Sequence, residues 1–493
     1  MATLTGGKAK DGPTLQVSLV IFFAAIGFLI GRRVLGDNSF LTHFATGQLI
    51  VDRGSVPTSD PYSFTAAGEP WVVQSWLASL MYAVLDSSVG GFGIRVLNGV
   101  LAGCSAALVW KLTSRKNHNV FVPLILTGSV LIIGATMWSA RPLLFGLLGF
   151  VLVLAVVEGL IRPQWLLPIM WVWVNTHGSF PLAGVLVGTV VVGEWIDRRA
   201  FPVDTAKVLG WVTGGTLLGA LNPLGPRLLW FPVQLLRRGE ALDNVVEWQP
   251  FTLEGLTAWV FAGLLVTFIV SLTHSTKWRS VVPATVFSIA AFLAIRNIVA
   301  ASVVLAVTSA PNLRVRFGQL RQSDQGLVPR TLGIGSGALL ALGVVAALSP
   351  AIEFDGYPIE EIEILEAEGL FDGDARILHN EIVGNYLGFR LGADANVFVD
   401  DRFDFYPQQV LDDFDVLLYG GDYEAVIDRY SPDAILWKTG GGFEAWLAAR
   451  PEWVVAEPLQ ISNDETGEGT ASDWFIARPS TSTPSPAVLA SNP

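Results

Sequence analysis

An aspartate stands just past the first long apolar run of this chain. Leu15–Ile30 is followed by Gly31-Arg32-Arg33, then by Asp37, and His43 lies six residues further on. A carboxylate placed there can take a proton from a hydroxyl once burial and neighbouring groups tune it. The plainer reading is that Asp37 caps or terminates a helix. His43 can orient a substrate, or it can be an interfacial histidine satisfied by backbone. Asp60 precedes Pro61 in the turn-forming sequence Ser59-Asp60-Pro61 and is the third catalytic candidate.

A second set of residues suits an anion. Arg227 opens a mostly apolar segment, and Arg237 and Arg238 close it, ahead of Glu240, Asp243 and Glu247-Trp248. Arg296-Asn297 interrupts two apolar runs, with no acid near it in sequence. Arginine at membrane depth costs at least a few kcal/mol and so faces a cavity or an anion. Its planar fork matches phosphate oxygens two at a time. For Arg237 and Arg238 the competing reading is pairing with Glu240, Asp243 or Glu247. Asn175-Thr176-His177-Gly178 follows a short apolar run; polar backbone at membrane depth needs a cavity or protein around it. The phosphate- or substrate-binding candidates are therefore Arg296, Arg237, Arg238, Arg227, His177, Asn175 and Glu247. Arg141-Pro142 is read as orientation charge or a helix start. No residue is assigned to a metal.

The elements that must position these groups are set by composition. The chain has 493 residues, 51% hydrophobic and only 15% charged, with mean hydropathy +0.50. Soluble domains average about 25% charge, so an ordinary soluble enzyme, a disordered chain and a nucleic-acid binder are all excluded. Residues 1–350 carry 24 Lys and Arg against 15 Asp and Glu, a net of +9. Residues 351–493 carry 7 against 28, a net of -21, so a mildly basic apolar body adjoins an acidic domain. No small-residue cleavage site follows the first apolar run, which reads as an uncleaved signal anchor. The single cysteine, Cys104, reads as a small core residue.

Eleven runs are long enough to suggest membrane spans: 15–31, 71–88, 93–110, 120–138, 143–161, 180–196, 208–222, 255–273, 281–295, 298–311 and 331–349. A twelfth, 165–174, is short and reads as a re-entrant hairpin. Basic loops at Arg198/Arg199/Lys207, Lys277/Arg279 and Arg314/Arg316/Arg321/Arg330 share one side, the cytoplasm, with Lys8 and Lys10. This leaves Lys111/Arg115/Lys116 outside, against the rule, and Arg141 inside. The alternative makes 71–88 interfacial and 165–174 spanning. In the preferred arrangement the loop 32–70, His177, the segment 222–250, Arg296 and everything after 350 are exterior.

Gly36-Asp37, Gly47, Gly54, Pro57, Asp60-Pro61, Pro70-Trp71 and Trp76-Leu77 together resemble the GT-C superfamily of polytopic glycosyltransferases. The likeness extends more loosely to Asn175–Gly178, Asn222-Pro223, Glu247-Trp248 and Arg296-Asn297. It points to a poorly characterised bacterial branch, covering most of residues 15–310. The resemblance implies a polyprenyl-phosphate-linked sugar donor, chemistry on the exterior face of the plasma membrane, and Asp37 as general base of an inverting transfer to a glycan, lipid or protein acceptor. Asn38 stands where many members carry a second acid, so no divalent metal is assigned, and His43 is outside the family pattern.

Residues 351–478 alternate short β-like runs (Ala375–Leu378, Asn396–Val399, Ala434–Trp437, Trp453–Ala456, Trp474–Ala477) with helical stretches 381–391 and 407–418, the pattern of a small α/β domain. In Val399-Asp400-Asp401-Arg402-Phe403-Asp404 the acids are expected to pair with Arg402 or cap a helix rather than bind metal. Gly440-Gly441-Gly442 lacks the Lys-Ser/Thr of a phosphate loop. Residues 479–493 read as a disordered tail. The expected fold is thus a helical membrane protein of GT-C type with about eleven spans, a re-entrant hairpin and an exterior α/β domain. Two rival functions remain at this stage. They are a transporter or flippase of a lipid-linked or anionic substrate, and a non-catalytic envelope assembly protein.

Overall fold

The computed structural model describes residues 13–117, 119–239, 246–313, 324–354, 356–371, 373–462 and 469–480. Lys8, Lys10, Glu240, Asp243, Arg314, Arg316, Arg321 and the tail from 481 onward lie outside the described residues. The structure is mostly helical with a small sheet. Among the described residues three helices, Gly91–Lys116, Gly255–Leu272 and Leu327–Ala346, are long and apolar enough to cross a membrane. Shorter apolar helices include Leu15–Gly31, Phe121–Gly134, Leu143–Val157 and Trp278–Leu293. Contacts divide the chain into two units: Met1–Leu35, Ser88–Asn222 and Asp243–Ala351 form the first, and Gly36–Ser87, Pro223–Leu242 and Ile352–Pro493 the second.

The first unit is a bundle of helices. Leu15–Gly31 begins where Thr14 accepts a hydrogen bond from the N–H of Val17, and it packs on Gly91–Lys116 and Leu327–Ala346. The first of these contacts is so close that a Cβ on Gly31 would lie 2.5 Å from the carbonyl oxygen of Asn98. Polar contacts show which helix termini share an end. At one end Arg95 Nε donates to the carbonyl of Arg32 (3.0 Å), and its Nη1 to those of Ala347, Ser349 and Pro350. Arg33 there reaches the carbonyl of Ala135 (2.8 Å), and Arg141 pairs with Glu247. At the other end Glu158 pairs with Lys116 (2.7 Å) and Arg279 (3.0 Å), Arg279 with Glu194 (2.7 Å), and Asn117 bonds the carbonyls of Ala310 and Leu313.

These contacts correct the preferred helix order. Lys111, Arg115 and Lys116 fall at the same end as Arg198 and Arg279, and Arg141 falls at the opposite end, with Glu247. The reason is that the chain leaves this unit after Leu35 and returns at Ser88, at a single end. By its contacts the run 71–88 belongs to the second unit as far as Ser87. The short helix Leu166–Thr176, expected as one arm of a re-entrant hairpin, packs along Leu143–Val157, with His177 beside Gly146 and Trp173 beside Gly149.

In the second unit the stretch expected as an exterior loop carries the helix Asn38–Arg53, ended by Gly54 in the left-handed region (φ 63°). That helix lies close on Trp76–Val89: a Cβ on Gly47 would meet the Ser79 carbonyl oxygen at 2.0 Å, which only glycine avoids. The acidic domain has a four-stranded sheet in the order β1 (Ile377–His379), β2 (Ala434–Lys438), β6 (Trp474–Pro479), β3 (Trp453–Val455). β1 and β2 are parallel; β6 is antiparallel to both β2 and β3. β4 (Gln460–Ser462) and β5 (Gly469–Ala471) form a separate pair. The helices Glu381–Leu391 and Gln408–Tyr419 fall where periodicity put them. Asn396–Val399 does not join the sheet. It pairs with the first loop instead, Val397 N–H to Tyr62 carbonyl (2.8 Å) and Phe64 N–H to Val397 carbonyl (3.0 Å), because that loop belongs to the same unit.

Candidate functional site

Asp37 is the N-cap of Asn38–Arg53, its backbone extended (φ -81°, ψ 126°) and its carboxylate accepting the Ser39 N–H at 3.1 Å. A helix start leaves backbone N–H groups without intrahelical partners, and an aspartate supplies one. Asp37 as a residue is half-buried. Asn38, next along the chain, accepts a hydrogen bond from the Tyr357 hydroxyl (3.1 Å). Burial, and then the negative charges of Asp37 and Asp401, push the Tyr357 hydroxyl well above the ordinary tyrosine range, so it stays protonated and donates.

One turn after Asn38, Thr42 reaches the acidic domain. Its hydroxyl lies 2.7 Å from Asn385 Oδ1 and 2.9 Å from Asp401 Oδ1, and the Asp401 N–H donates to the same Asn385 oxygen (3.1 Å). Asp37, Asn38, Thr42, Tyr357, Asn385 and Asp401 thus form one polar cluster within the second unit. Sequence reasoning singled out only Asp37 from it as a site residue. Asp401 was visible in its acidic run, but Tyr357 and Asn385 carry no local signal, and 343 positions separate Thr42 from Asn385.

His43 is turned elsewhere. Six residues beyond Asp37 it occupies another face of the helix, with Nδ1 3.4 Å from the Ser79 hydroxyl. Asp60 serves the fold. It is 6% exposed, with one oxygen accepting the N–H (2.9 Å) and hydroxyl of Ser63 and the other Arg402 Nη1 (2.6 Å). Arg402 also holds Asp400 through Nε (2.9 and 2.8 Å) and lies over Trp71 (4.6 Å) and Tyr62 (4.9 Å). Pairing of the acidic run with Arg402 is as the sequence suggested; its extension to Asp60 was not visible there. Arg238 donates to the carbonyls of Asp404 (2.7 Å) and Tyr406 (3.1 Å), Arg237 stacks on Trp230 (5.9 Å), and Arg227 is exposed.

The remaining candidates lie in the first unit. Arg296 sits on the short turn Ile295–Asn297, with its guanidinium 4.4 Å over the Trp248 ring and exposed to the charges of Glu247 and Arg141. Glu247 is thus engaged with Arg141. Beside Arg296 is a cavity of about 50 Å³ lined by Trp138, Leu147, Phe150, Trp173 and Asn297 among others. His177 Nδ1 accepts the Ser179 N–H (3.2 Å) and lies 2.7 Å from the Ser179 hydroxyl, which accepts Trp173 Nε1–H (3.1 Å). Asn175 is fully buried and fastens two helices through the carbonyls of Trp171 (2.7 Å) and Gly219 (3.3 Å).

Chemically, the second unit offers a half-buried carboxylate among hydrogen-bonding side chains, and the first an arginine held flat over an indole beside an apolar hollow. No protein-family model matches the chain, and no curated protein matches it in sequence.

Proposed function

We propose that the chain is a multi-pass plasma-membrane glycosyltransferase moving a sugar from a polyprenyl-phosphate carrier to an acceptor hydroxyl on the exterior face. Eleven helices of the first unit would cross the bilayer, with Leu166–Thr176 among them and 71–88 not. The large apolar side chains its helices expose support this: Leu256 (69%), Ile269 (62%), Leu327 (77%) and Ile334 (74%) suit lipid contact. With this order the basic groups from Lys111 to Lys116 join those of 198–207 and 277–279, so the positive-inside rule holds where the first ordering broke it. The end that holds Arg141, His177 and Arg296 is then exterior, as is the chain beyond Ala351.

The observation that carries the reading is Asp37, a half-buried carboxylate fixed by its own helix among Asn38, Thr42, Tyr357 and Asp401. As general base it would take the proton of the acceptor hydroxyl. The acceptor oxygen would attack the anomeric carbon opposite the phosphate, and the carbon–oxygen bond to phosphate would break with inversion. Within the unit that holds Asp37, Arg227 and Arg237 are the candidates to hold the departing phosphate, since an arginine placed in advance stabilises charge as it develops. Arg296 and His177 belong to the first unit and take no assigned part in this step, and Asp60 is left out because its oxygens are occupied.

Asp37→Asn tests this cleanly, because asparagine caps a helix about as well as aspartate and the fold should survive. Loss of a general base costs roughly 10²–10⁴ in rate. Asp37→Asn is expected to lose at least 100-fold in sugar transfer from a polyprenyl-phosphate donor, while Asp52→Asn, at the exposed end of the same helix, keeps its rate. Full turnover by Asp37→Asn would end the assignment.

A further inference from the structure

Glu381 and Asn385 lie four residues apart on Glu381–Leu391, so they share a face of that helix about 6 Å apart. Asn385 is 1% exposed, and its Oδ1 accepts from the Thr42 hydroxyl and the Asp401 N–H. A backbone N–H can only donate, so the amide orientation is fixed and the Nδ2 group faces the other way. That Nδ2 group is buried with no hydrogen-bond partner, and so is Glu381 Oε2. Buried polar groups are almost always paired. An orphan donor and an orphan acceptor on one helix face call for a group that does both, and a hydroxyl does: it accepts through a lone pair and donates its one hydrogen. The charge of Asp401 also acts on Glu381, which ties this pair to the cluster around Asp37.

We propose that Glu381 and Asn385, backed by Asp401, form a subsite for a hydroxyl of a neutral polyhydroxylated ring, the sugar-like part of a substrate held beside Asp37. The subsite rests on the proposed transfer reaction only for that ring's place in catalysis; its recognition chemistry stands on the orphan pair. The acidic domain would then contribute directly to substrate selection.

The test is saturation-transfer NMR on the full-length protein in detergent, with methyl glucoside, mannoside and galactoside as probes. At least one glycoside should receive saturation from the wild type, and its signal should fall at least fivefold in Glu381→Gln and in Asn385→Asp. Glu381→Gln keeps the shape but can present a donor to the Asn385 donor; Asn385→Asp keeps Oδ1 and removes Nδ2–H. Equal signals in wild type and both variants, or none from any glycoside with the wild type, would overturn the subsite and leave the pair to water. Where a variant fails to fold, a structure of the wild type with the glycoside decides: ring density between Glu381 and Asn385 supports the subsite, and water density alone overturns it. A glycoside response lost in Glu381→Gln with no transfer from any lipid-linked donor would sink the enzyme reading and keep the subsite. Transfer lost in Asp37→Asn with glycoside signals untouched by either variant would do the reverse.

Discussion

Arg402 is buried (6% exposed) between the carboxylates of Asp60 and Asp400 and against the rings of Tyr62, Trp71, Phe405 and Tyr406. Two ion pairs satisfy the desolvated cation, and the rings fill the space around it. Replacing it with an uncharged side chain leaves two buried carboxylates uncompensated, a loss of roughly 3–5 kcal/mol. Arg402→Met should lower the stability of the full-length protein in detergent by about that much, measured by denaturant unfolding followed on tryptophan fluorescence. Asp60→Asn, which leaves Asp400 in place, should cost less. A change under about 1 kcal/mol for Arg402→Met would mean that the cage is not structural. The residues of this cage were legible as a pattern: Asp60-Pro61, Pro70-Trp71 and the acidic run all stand out in the sequence. Their meaning was not, because the pattern suggests chemistry and the partner that gives Asp60 a structural task is 342 residues away. Asp37 differs in kind, since its cap bond is local and a carboxylate after an apolar run is readable without any distant partner.

At the scale of elements, β1 is joined to the segment 396–399 by a histidine. His379 is fully buried; its Nδ1–H donates to the Asn380 carbonyl (3.0 Å) and its Nε2 accepts the Phe398 N–H (2.9 Å). Burial pushes it down to about 4. In the unfolded chain it gains a proton below about pH 6.5, while in the folded protein it resists until about 4. Its contribution is therefore present above pH 6.5 and lost as pH falls toward 4, about 3 kcal/mol in all. Burial pushes Asp404 the other way, up to about 6. The folded state keeps that proton where the unfolded chain has released it, so the stability tied to Asp404 is present at low pH and lost as pH rises through 6. Over pH 4–6 the two slopes oppose each other. Asp404→Asn is expected to steepen the loss of stability on acidification, and His379→Gln to flatten it, in unfolding midpoints of the full-length protein at pH 4, 5, 6 and 7. Parallel profiles for wild type and both variants would refute this. The strands themselves were largely legible, since β2, β3 and β6 are short β-branched or aromatic runs between turn signals. Asn396–Val399 read the same way yet pairs outside the sheet, because hydropathy shows that a run will be buried but not which backbone will meet it.

At the scale of the whole molecule, the net charge of -12 averages a +9 body and a -21 domain, and the two-unit division follows that split only in part. Residues 36–87 belong with the acidic domain, and their own balance, Arg53 against Asp37, Asp52, Asp60, Glu69 and Asp86, is acidic too. Hydropathy alone reads 71–88 as a span and 165–174 as too short for one, and the parity of the basic loops is what chooses between the two orders. Polar contacts at the helix ends supply what hydropathy lacks. Glu158 cannot pair with both Lys116 and Arg279 unless those termini share an end, nor Arg141 with Glu247 unless these share the other. The proposed topology then exchanges two positions relative to the first sequence reading: Arg115 becomes cytoplasmic, and Thr136, at the turn before Arg141, becomes exterior. Cys104 is the only cysteine and is exposed, so Cys104→Ser supplies a clean background for labelling. With an impermeant maleimide on intact cells, Thr136→Cys and Gly178→Cys should label at once, and Arg115→Cys only after permeabilisation. Labelling of Arg115→Cys together with protection of Thr136→Cys would overturn the proposed topology, since it places the Lys116–Glu158–Arg279 network outside, where a basic cluster is disfavoured. Labelling of both from outside would contradict the bundle itself, because helix Phe121–Gly134, which lies between them, would then have no membrane to cross.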